Sequence, residues 1–408
     1  MVGRVITKKY FGAYKNFLSY ALLSYCEKGL IFCFPLLFLW LTKSQSGYNQ
    51  VEYVFAVSAM LALFLDGGLR IYVLYAYRQG QESMEVVQRL FNCLRFMIKC
   101  YLLVALLIWM ALWLASSAYL HEFSNVAARS LFLVMAAFLA VLYRIKDDPA
   151  RVFYYTIPVY LVGLSLLWLL ANAQESQAIT LAIAVPHLVS LFVVMASGRS
   201  AGEQRFSELK AGLMSSLAYA WPVLLSVALA MLIANFGKIY AYTHLSEQQM
   251  FSLSFVQRLA LIVQLAHISI TGYLAKKLFV SESLSYHCRT FALYVAALMM
   301  ACILSFISIY VLDCLSVPVP VGILGLFLVV MLYVVCWCIA AYLEIYLNRA
   351  NRNGNILIGT VLSLCVYCSV LYLFESDVLM AFAVSMAASS MFYMLFITLS
   401  LVWMKNKK

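Results

Sequence analysis

Long apolar stretches separated by short polar segments run along almost the whole chain. A helix rises about 1.5 Å per residue, so about 20 apolar residues are needed to cross the roughly 30 Å of hydrocarbon in a bilayer. This pattern predicts twelve transmembrane helices, at approximately 17–41, 52–76, 92–118, 126–143, 152–171, 179–196, 213–239, 250–274, 290–312, 323–347, 355–374 and 378–403. The sequence therefore predicts an all-α polytopic membrane protein.

The longest polar stretch between predicted helices lies at the middle of the chain, at 197–212. Six predicted helices precede it and six follow. Because six is an even number, both halves enter the membrane from the same side, and a duplication would be a parallel repeat about an axis along the membrane normal. We therefore predict two six-helix halves, at 1–204 and 205–408.

Composition supports the membrane assignment and explains the net charge of +11. The chain is 65% hydrophobic and only 11% charged, and its mean hydropathy is +0.93. The predicted topology places 22 of the 28 Lys and Arg residues on the cytoplasmic side, and only Lys43 and Arg129 clearly outside. This is the positive-inside pattern. It predicts an uncleaved first helix and two cytoplasmic termini, and it accounts for the basic charge without nucleic acid.

Four cationic residues stand out because they interrupt stretches that otherwise have to lie in lipid: Lys28, Arg70, Lys238 and Arg258. A charge near the bilayer centre costs roughly 3 kcal/mol or more, so such residues face a partner or a hydrated cavity. They lie on helices 1, 2, 7 and 8, which are equivalent helices of the two predicted halves. The pattern indicates an interior cationic pathway and an anionic cargo, although Lys238 could instead snorkel to the outer interface.

Three carboxylates within the spans are candidate coupling or pairing groups. Asp66 and Arg70 are four residues apart on one helical face, so we expect them to pair, in a structural role or beside a cargo site. Glu27 and Lys28 lie about 100° apart, so one of them should face away from a shared partner. Glu344 could couple transport to protons, but a solvated position or a pair with an arginine is also open.

The remaining chemistry is sparse. Most of the eleven cysteines fall inside predicted helices, and Cys365 and Cys368 are interpreted as packing residues, so no metal site is predicted. The sequence has no phosphate-binding loop and no nucleophile elbow. We predict a transporter, not an enzyme, with no cofactor apart from a proton or sodium gradient. A membrane-embedded polysaccharide polymerase fits poorly, because the predicted outer loops are only about ten residues long.

The opening of the chain resembles the first two helices of the polysaccharide flippases. The matching stretch reads FLSYALLSYCEKGLIFCFPLLFLWLTKSQSGYNQVEYVFAVSAMLALFLDGGLRIYVLYAYR, with a short loop at Gly47 and Tyr48 and an acidic-glycine turn at Asp66 to Leu69. The stretch SFVQRLALIVQLAHISITGYLAKK, at the start of helix 8, is similar to them as well.

This resemblance implies the multidrug/oligosaccharidyl-lipid/polysaccharide exporter fold, with two six-helix bundles around a central cavity lined by helices 1, 2, 7 and 8. It implies an O-antigen flippase of lipopolysaccharide biosynthesis that moves an undecaprenyl-pyrophosphate-linked oligosaccharide to the periplasmic leaflet of the bacterial inner membrane. The four cations would hold the pyrophosphate or acidic sugars. Candidate partners are membrane lipids, the polysaccharide polymerase and the chain-length regulator. A cation-coupled drug exporter of the same superfamily is the alternative.

Overall fold

The described part of the chain is entirely helical. The computed structural model describes residues 2–79, 83–146, 148–170, 175–197, 206–280, 284–350, 352–374 and 377–406. The α-helices within these ranges are α1 Val2–Thr42, α2 Gln45–Leu65, α3 Leu69–Gln79, α4 Met84–Leu114, α5 Leu120–Ile145, α6 Phe153–Leu169, α7 Glu175–Ser197, α8 Phe206–His244, α9 Glu247–Val280, α10 Leu284–Cys314, α11 Leu324–Arg349, α12 Asn353–Leu373 and α13 Val378–Asn406. A 3-10 turn at Pro149–Val152 leads into α6.

Twelve of these helices are long and apolar enough to cross a membrane, which confirms the predicted all-α class and the predicted number of spans. The exception is α3, an 11-residue helix of low hydrophobicity. Four prolines lie inside these helices without ending them, at Pro35, Pro158, Pro186 and Pro222.

The second predicted span is wrong in its position. The sequence pattern gave one helix over 52–76, whereas α2 begins at Gln45 and ends at Leu65. The chain then turns through Gly67 and Gly68, whose φ angles are +57° and +77°. Glycine adopts this left-handed backbone without the steric cost that a Cβ atom brings, so the acidic-glycine turn ends the helix. The shift moves Glu52 from the edge of the span to two turns inside it.

Burial follows a similar pattern in the first six spans and the last six. The third and ninth spans, α4 and α10, are the least buried, at 11% and 17%, and the second and eighth, α2 and α9, are well buried, at 56% and 61%. The sixth and twelfth spans are both 50% buried. Large apolar side chains on α4 and α10 are exposed, as expected for helices that face lipid. This period of six spans supports the predicted parallel repeat.

The chain forms two compact units. Unit 1 comprises Met1–Phe34 and Leu65–Leu217, and unit 2 comprises Pro35–Phe64 and Ala218–Lys408. Within unit 1, α7 packs against α5 and α6; within unit 2, α11 packs against α9 and α13. Helix α2 therefore belongs to the unit that contains the second half of the chain. The division at 204/205 into two six-helix halves stays a prediction.

Candidate functional site

One face of α2 packs against α8 and α9 inside unit 2. Residues i, i+4 and i+7 of a helix share a face, and here Tyr48, Glu52 and Phe55 do so. The Tyr48 ring packs edge-on against Phe251 of α9, with 5.4 Å between centroids. On the adjacent strip, Asn49 donates to the Glu247 backbone carbonyl at 2.9 Å. These contacts fix which side of α2 faces the α8–α9 hairpin.

A charge triad lies at the centre of this packing. The Glu52 Oε1 atom accepts from Arg258 Nε at 2.6 Å, and Glu52 Oε2 accepts from Lys238 Nζ at 2.9 Å. All three residues are buried; Glu52 is 1% exposed, Arg258 2% and Lys238 7%. The guanidinium of Arg258 also lies over the Phe55 ring, 5.6 Å from its centroid. One carboxylate thus serves two cations, and the triad carries a formal charge of +1.

The triad corrects two expectations drawn from the sequence. Lys238 does not snorkel to an interface, because its ammonium is buried against Glu52. The candidate cargo cations Lys238 and Arg258 also share a carboxylate that the sequence reasoning did not select. Glu52 was missed because the predicted second span began at that residue. The signal that could have found it is the tyrosine- and glycine-bearing stretch before it, which is helical from Gln45.

The candidate residues Glu27 and Lys28 lie in unit 1 and bind each other. Lys28 Nζ is 2.9 Å from Glu27 Oε2, and the Lys28 side chain is partly exposed while Glu27 is buried. This contact joins the two residues to each other, so the expectation that they do not both face one further partner stays a prediction. Successive side chains of a helix point about 100° apart at Cβ, but the long lysine stem bends back far enough to close the pair.

Unit 1 holds a further buried cation at Arg129. The predicted topology placed this residue outside the membrane, yet it lies within α5, which begins at Leu120, and is 5% exposed. The Tyr160 side chain of α6 lies within electrostatic reach of Arg129, Glu27 and Lys28. The predicted fourth span began at 126, so Arg129 stood too close to its end to count as intramembrane. Unit 1 therefore also places two cations and one carboxylate around a buried centre.

His187 of α7 borders the same region. Its ring packs edge-on against Tyr160 and Phe132, with centroids 5.6 Å and 4.9 Å apart. Its Nδ1 atom lies 2.6 Å from the Ile183 carbonyl oxygen. A carbonyl only accepts, so Nδ1 donates this hydrogen bond.

Asp66 and Arg70 of unit 1 meet in a form that the sequence did not predict. The Arg70 backbone N–H donates to Asp66 Oδ1 at 3.4 Å, and the ion pairs among the described residues do not include the Arg70 guanidinium. Asp66 is 2% exposed, and its Oδ2 atom has no hydrogen-bond partner among the described residues. The carboxylate thus bonds the start of α3, beside the glycine turn.

Glu344 lies on α11 within unit 2 and is half-buried. Its Oε1 atom accepts from the Tyr393 hydroxyl of α13 at 2.7 Å. The sequence analysis left two environments open for Glu344, a solvated position or a pair with an arginine. The contact with Tyr393 is neither of these. The described residues contain no group of His, Cys, Asp and Glu arranged to hold a metal ion.

Solved transporter structures resemble this architecture over almost its whole length. A multidrug resistance MATE family transporter of the MOP superfamily, in an inward-facing conformation, is 12% identical, with a TM-score of 0.61 over 96% of this chain and 97% of that chain. The eukaryotic MATE transporter AtDTX14 is also 12% identical, with a TM-score of 0.61 over 95% and 96%. The MATE multidrug transporter DinF-BH, solved in complex with a ligand, is 13% identical, with a TM-score of 0.60 over 96% and 95%.

The chain has the fold of these transporters. No protein-family model and no curated protein sequence matches it. The likeness confirms the exporter fold implied by the resemblance at the sequence level. It is a likeness of architecture alone, because about one residue in eight is identical.

Proposed function

We propose that the chain is a membrane exporter that works by alternating access and moves an amphiphile with an anionic head group. The observation that carries this proposal is the buried triad in unit 2, in which Lys238 and Arg258 share the single carboxylate of Glu52. The MATE-like fold supports the transport class. The formal charge of +1 on the triad favours a cargo with a negatively charged head group.

A buried charge cluster of this kind is expensive and does little for stability. Desolvation of each ion costs several kcal/mol, and well-packed apolar residues in the same place are often neutral or stabilising. Ionisable residues inside membrane spans are therefore functional candidates. The triad and the Glu27, Lys28 and Arg129 group each contain two cations and one carboxylate.

We further propose that the cargo is an undecaprenyl-pyrophosphate-linked oligosaccharide, carried from the cytoplasmic to the periplasmic leaflet. Lysine and arginine replace the hydration of a phosphate with charge-assisted hydrogen bonds, while the polyprenyl tail stays in lipid. In this proposal the cargo contacts are Lys28, Arg70, Lys238 and Arg258. The cargo class also rests on the resemblance of the opening helices to polysaccharide flippases.

A cation-coupled drug exporter is the second candidate. Two of the similar solved structures are described as multidrug transporters, and one of these was solved in complex with a ligand, so the structural likeness favours this candidate over the first. The buried carboxylates Glu27, Glu52 and Asp66 would be its coupling groups. Each carboxylate would bind a proton or a sodium ion when the drug is absent and release it when the drug binds.

Lipid mass spectrometry separates the two candidates. Cells depleted of the protein should accumulate complete polyprenyl-pyrophosphate oligosaccharides, and wild-type protein should remove them. An Arg258→Gln variant at equal membrane abundance should not. The matched control is Arg89→Gln, which breaks an exposed ion pair with Glu85 and should restore export fully.

The opposite outcome is equally specific. Unchanged lipid intermediates, together with increased sensitivity of the depleted cells to cationic dyes, would reject the lipid-linked cargo. That result would support the drug exporter.

A further inference from the structure

Glu52 is bound as a bridging anion. Each of its two oxygens receives one cation, at 2.6 Å from Arg258 Nε and 2.9 Å from Lys238 Nζ. A phosphate offers two oxygens to two cations in the same way, and such charge-assisted contacts have the same lengths. The carboxylate therefore occupies the place that an anionic head group would need to reach Lys238 and Arg258.

The charges do not balance while Glu52 holds this place. Lys238 and Arg258 bring two positive charges and Glu52 brings one negative charge. A pyrophosphate diester carries one negative charge on each phosphate, so it would neutralise both cations. In a medium of low polarity the better-matched anion is favoured, because Coulomb energies are large there. Glu52 thus binds both cations but neutralises only one of their two charges, so a dianionic head group could replace it.

Burial adds a condition on this exchange. Glu52 is 1% exposed and Arg258 is 2% exposed, so an anion reaches the cations only after Glu52 leaves. Glu52 is carried by α2, a 21-residue helix with left-handed backbone just outside both ends, at Lys43 and at Gly67. Helix α2 is therefore a separate element, interrupted on both sides, whose movement would take Glu52 with it.

We infer that Glu52 is a displaceable counter-ion that competes with the anionic head group of the cargo for Lys238 and Arg258. The inference rests on the proposed function, since it names how that site takes up and releases its cargo. Return of Glu52 to the two cations expels the head group. Glu52 therefore lowers the affinity for cargo and speeds its release.

The test uses the full chain purified in detergent, with geranylgeranyl pyrophosphate as the probe and geranylgeraniol as its uncharged counterpart. Glu52→Gln keeps the shape of the side chain and removes its charge. We expect this variant to bind the pyrophosphate with a Kd lower by about tenfold or more than the wild type. The two proteins should bind the uncharged alcohol equally. Glu85→Gln removes an equal charge from an exposed ion pair and should bind as the wild type does.

A second measurement keeps the wild-type chain. Dicyclohexylcarbodiimide modifies protonated carboxyl groups in apolar surroundings, and mass spectrometry locates the adduct. Buried between two cations, Glu52 should be unreactive; displaced by the probe, it loses both cations, becomes protonated more readily and should be labelled. This readout does not depend on whether Glu52→Gln folds.

The possible outcomes distinguish the counter-ion role of Glu52 from the proposed transport function. Equal affinities of the wild type and Glu52→Gln, or probe binding without labelling of Glu52, would overturn the counter-ion role and leave the proposed function intact. Absence of pyrophosphate binding in the wild type, in Glu52→Gln and in Glu85→Gln would overturn the proposed function, and the counter-ion role with it. Tighter binding by Glu52→Gln together with probe-dependent labelling supports both.

Discussion

At the scale of single residues, removal of different members of the triad leaves different net charges buried. Loss of Arg258 leaves Glu52 with Lys238, a neutral pair, whereas loss of Glu52 leaves two buried cations facing each other. Removal of one partner from a buried ion pair costs about 3–5 kcal/mol when it strands a charge. The three residues therefore differ in their effect on folding although they share one network.

We predict that Glu52→Gln lowers the free energy of unfolding by about 3 kcal/mol, and that Arg258→Met lowers it by about 1 kcal/mol or less. Denaturant titration of the purified protein in detergent measures both. Glu85→Gln, at an exposed pair, should stay within about 0.5 kcal/mol of the wild type. Equal losses for the two triad variants would contradict the charge count given above.

Asp66 offers a test by pH. Its carboxyl lies outside the candidate spans, and burial raises its pKa while Arg70 opposes that rise. A carboxyl with a raised pKa binds protons more readily in the folded protein, so its contribution to stability falls as pH rises through that pKa. We predict that Asp66→Asn raises the unfolding midpoint at pH 7, because the amide removes a buried charge.

The difference between Asp66→Asn and the wild type should shrink as the pH falls through the raised pKa of Asp66 and vanish below the ordinary range of an aspartate, where both side chains are neutral. Thermal unfolding across this pH range provides the measurement. A midpoint difference that is constant with pH would show that Asp66 is not the group that titrates.

The sequence disclosed Lys28, Arg70, Lys238 and Arg258 because a charge within an apolar stretch stands out locally. It did not disclose Glu52 or Arg129, since both lie within the uncertainty of a predicted helix start. Nor could it disclose their partners. Glu52 and Lys238 are 186 residues apart, and their contact depends on how α2 packs in unit 2.

At the scale of helices, the break between α2 and α3 depends on backbone geometry. Gly67 has a φ of +57°, and a Cβ atom there would lie 3.2 Å from both Leu213 and Met97 side chains. The Ser216 hydroxyl also donates to the Gly67 carbonyl at 3.1 Å, which ties the turn to α8 within unit 1. The turn thus has little freedom to adapt to a larger residue.

We predict that Gly67→Ala destabilises the protein by about 1–2 kcal/mol, because an L-residue in the left-handed region is strained. The control is Gly29→Ala in α1, where a Cβ atom would meet nothing within 4 Å and the helix should gain a little stability. The unfolding midpoints of the two variants should move in opposite directions. A neutral Gly67→Ala would mean that the turn relaxes to another conformation.

Helix number was predictable because the length of an apolar run is a local property of the chain. Helix ends were less so: the apolar pattern continues across Asp66, and only the glycine pair indicates a stop there. The resemblance to polysaccharide flippases placed the turn correctly, whereas hydrophobicity alone carried the span through to 76.

At the scale of the whole molecule, the orientation in the membrane is a separate, testable expectation. The charge bias places the loops near Lys146 and Arg199 in the cytoplasm, and those near Ser117 and Asp377 outside. Fusions truncated after 146 or 199 should give fluorescent green fluorescent protein, and fusions after 117 or 377 should give active alkaline phosphatase. The reverse pattern would invert the proposed direction of export.

The chain passes between the two compact units three times, between Phe34 and Pro35, between Phe64 and Leu65, and between Leu217 and Ala218. Each passage lies at or within a few residues of a helix-weakening position: Pro35 itself, the Gly67–Gly68 turn, and Pro222. Any rearrangement of the units must bend or twist the backbone at these passages. If the chain works by alternating access, as proposed, a substitution that stiffens the backbone at one of these passages should slow export without altering any charged residue.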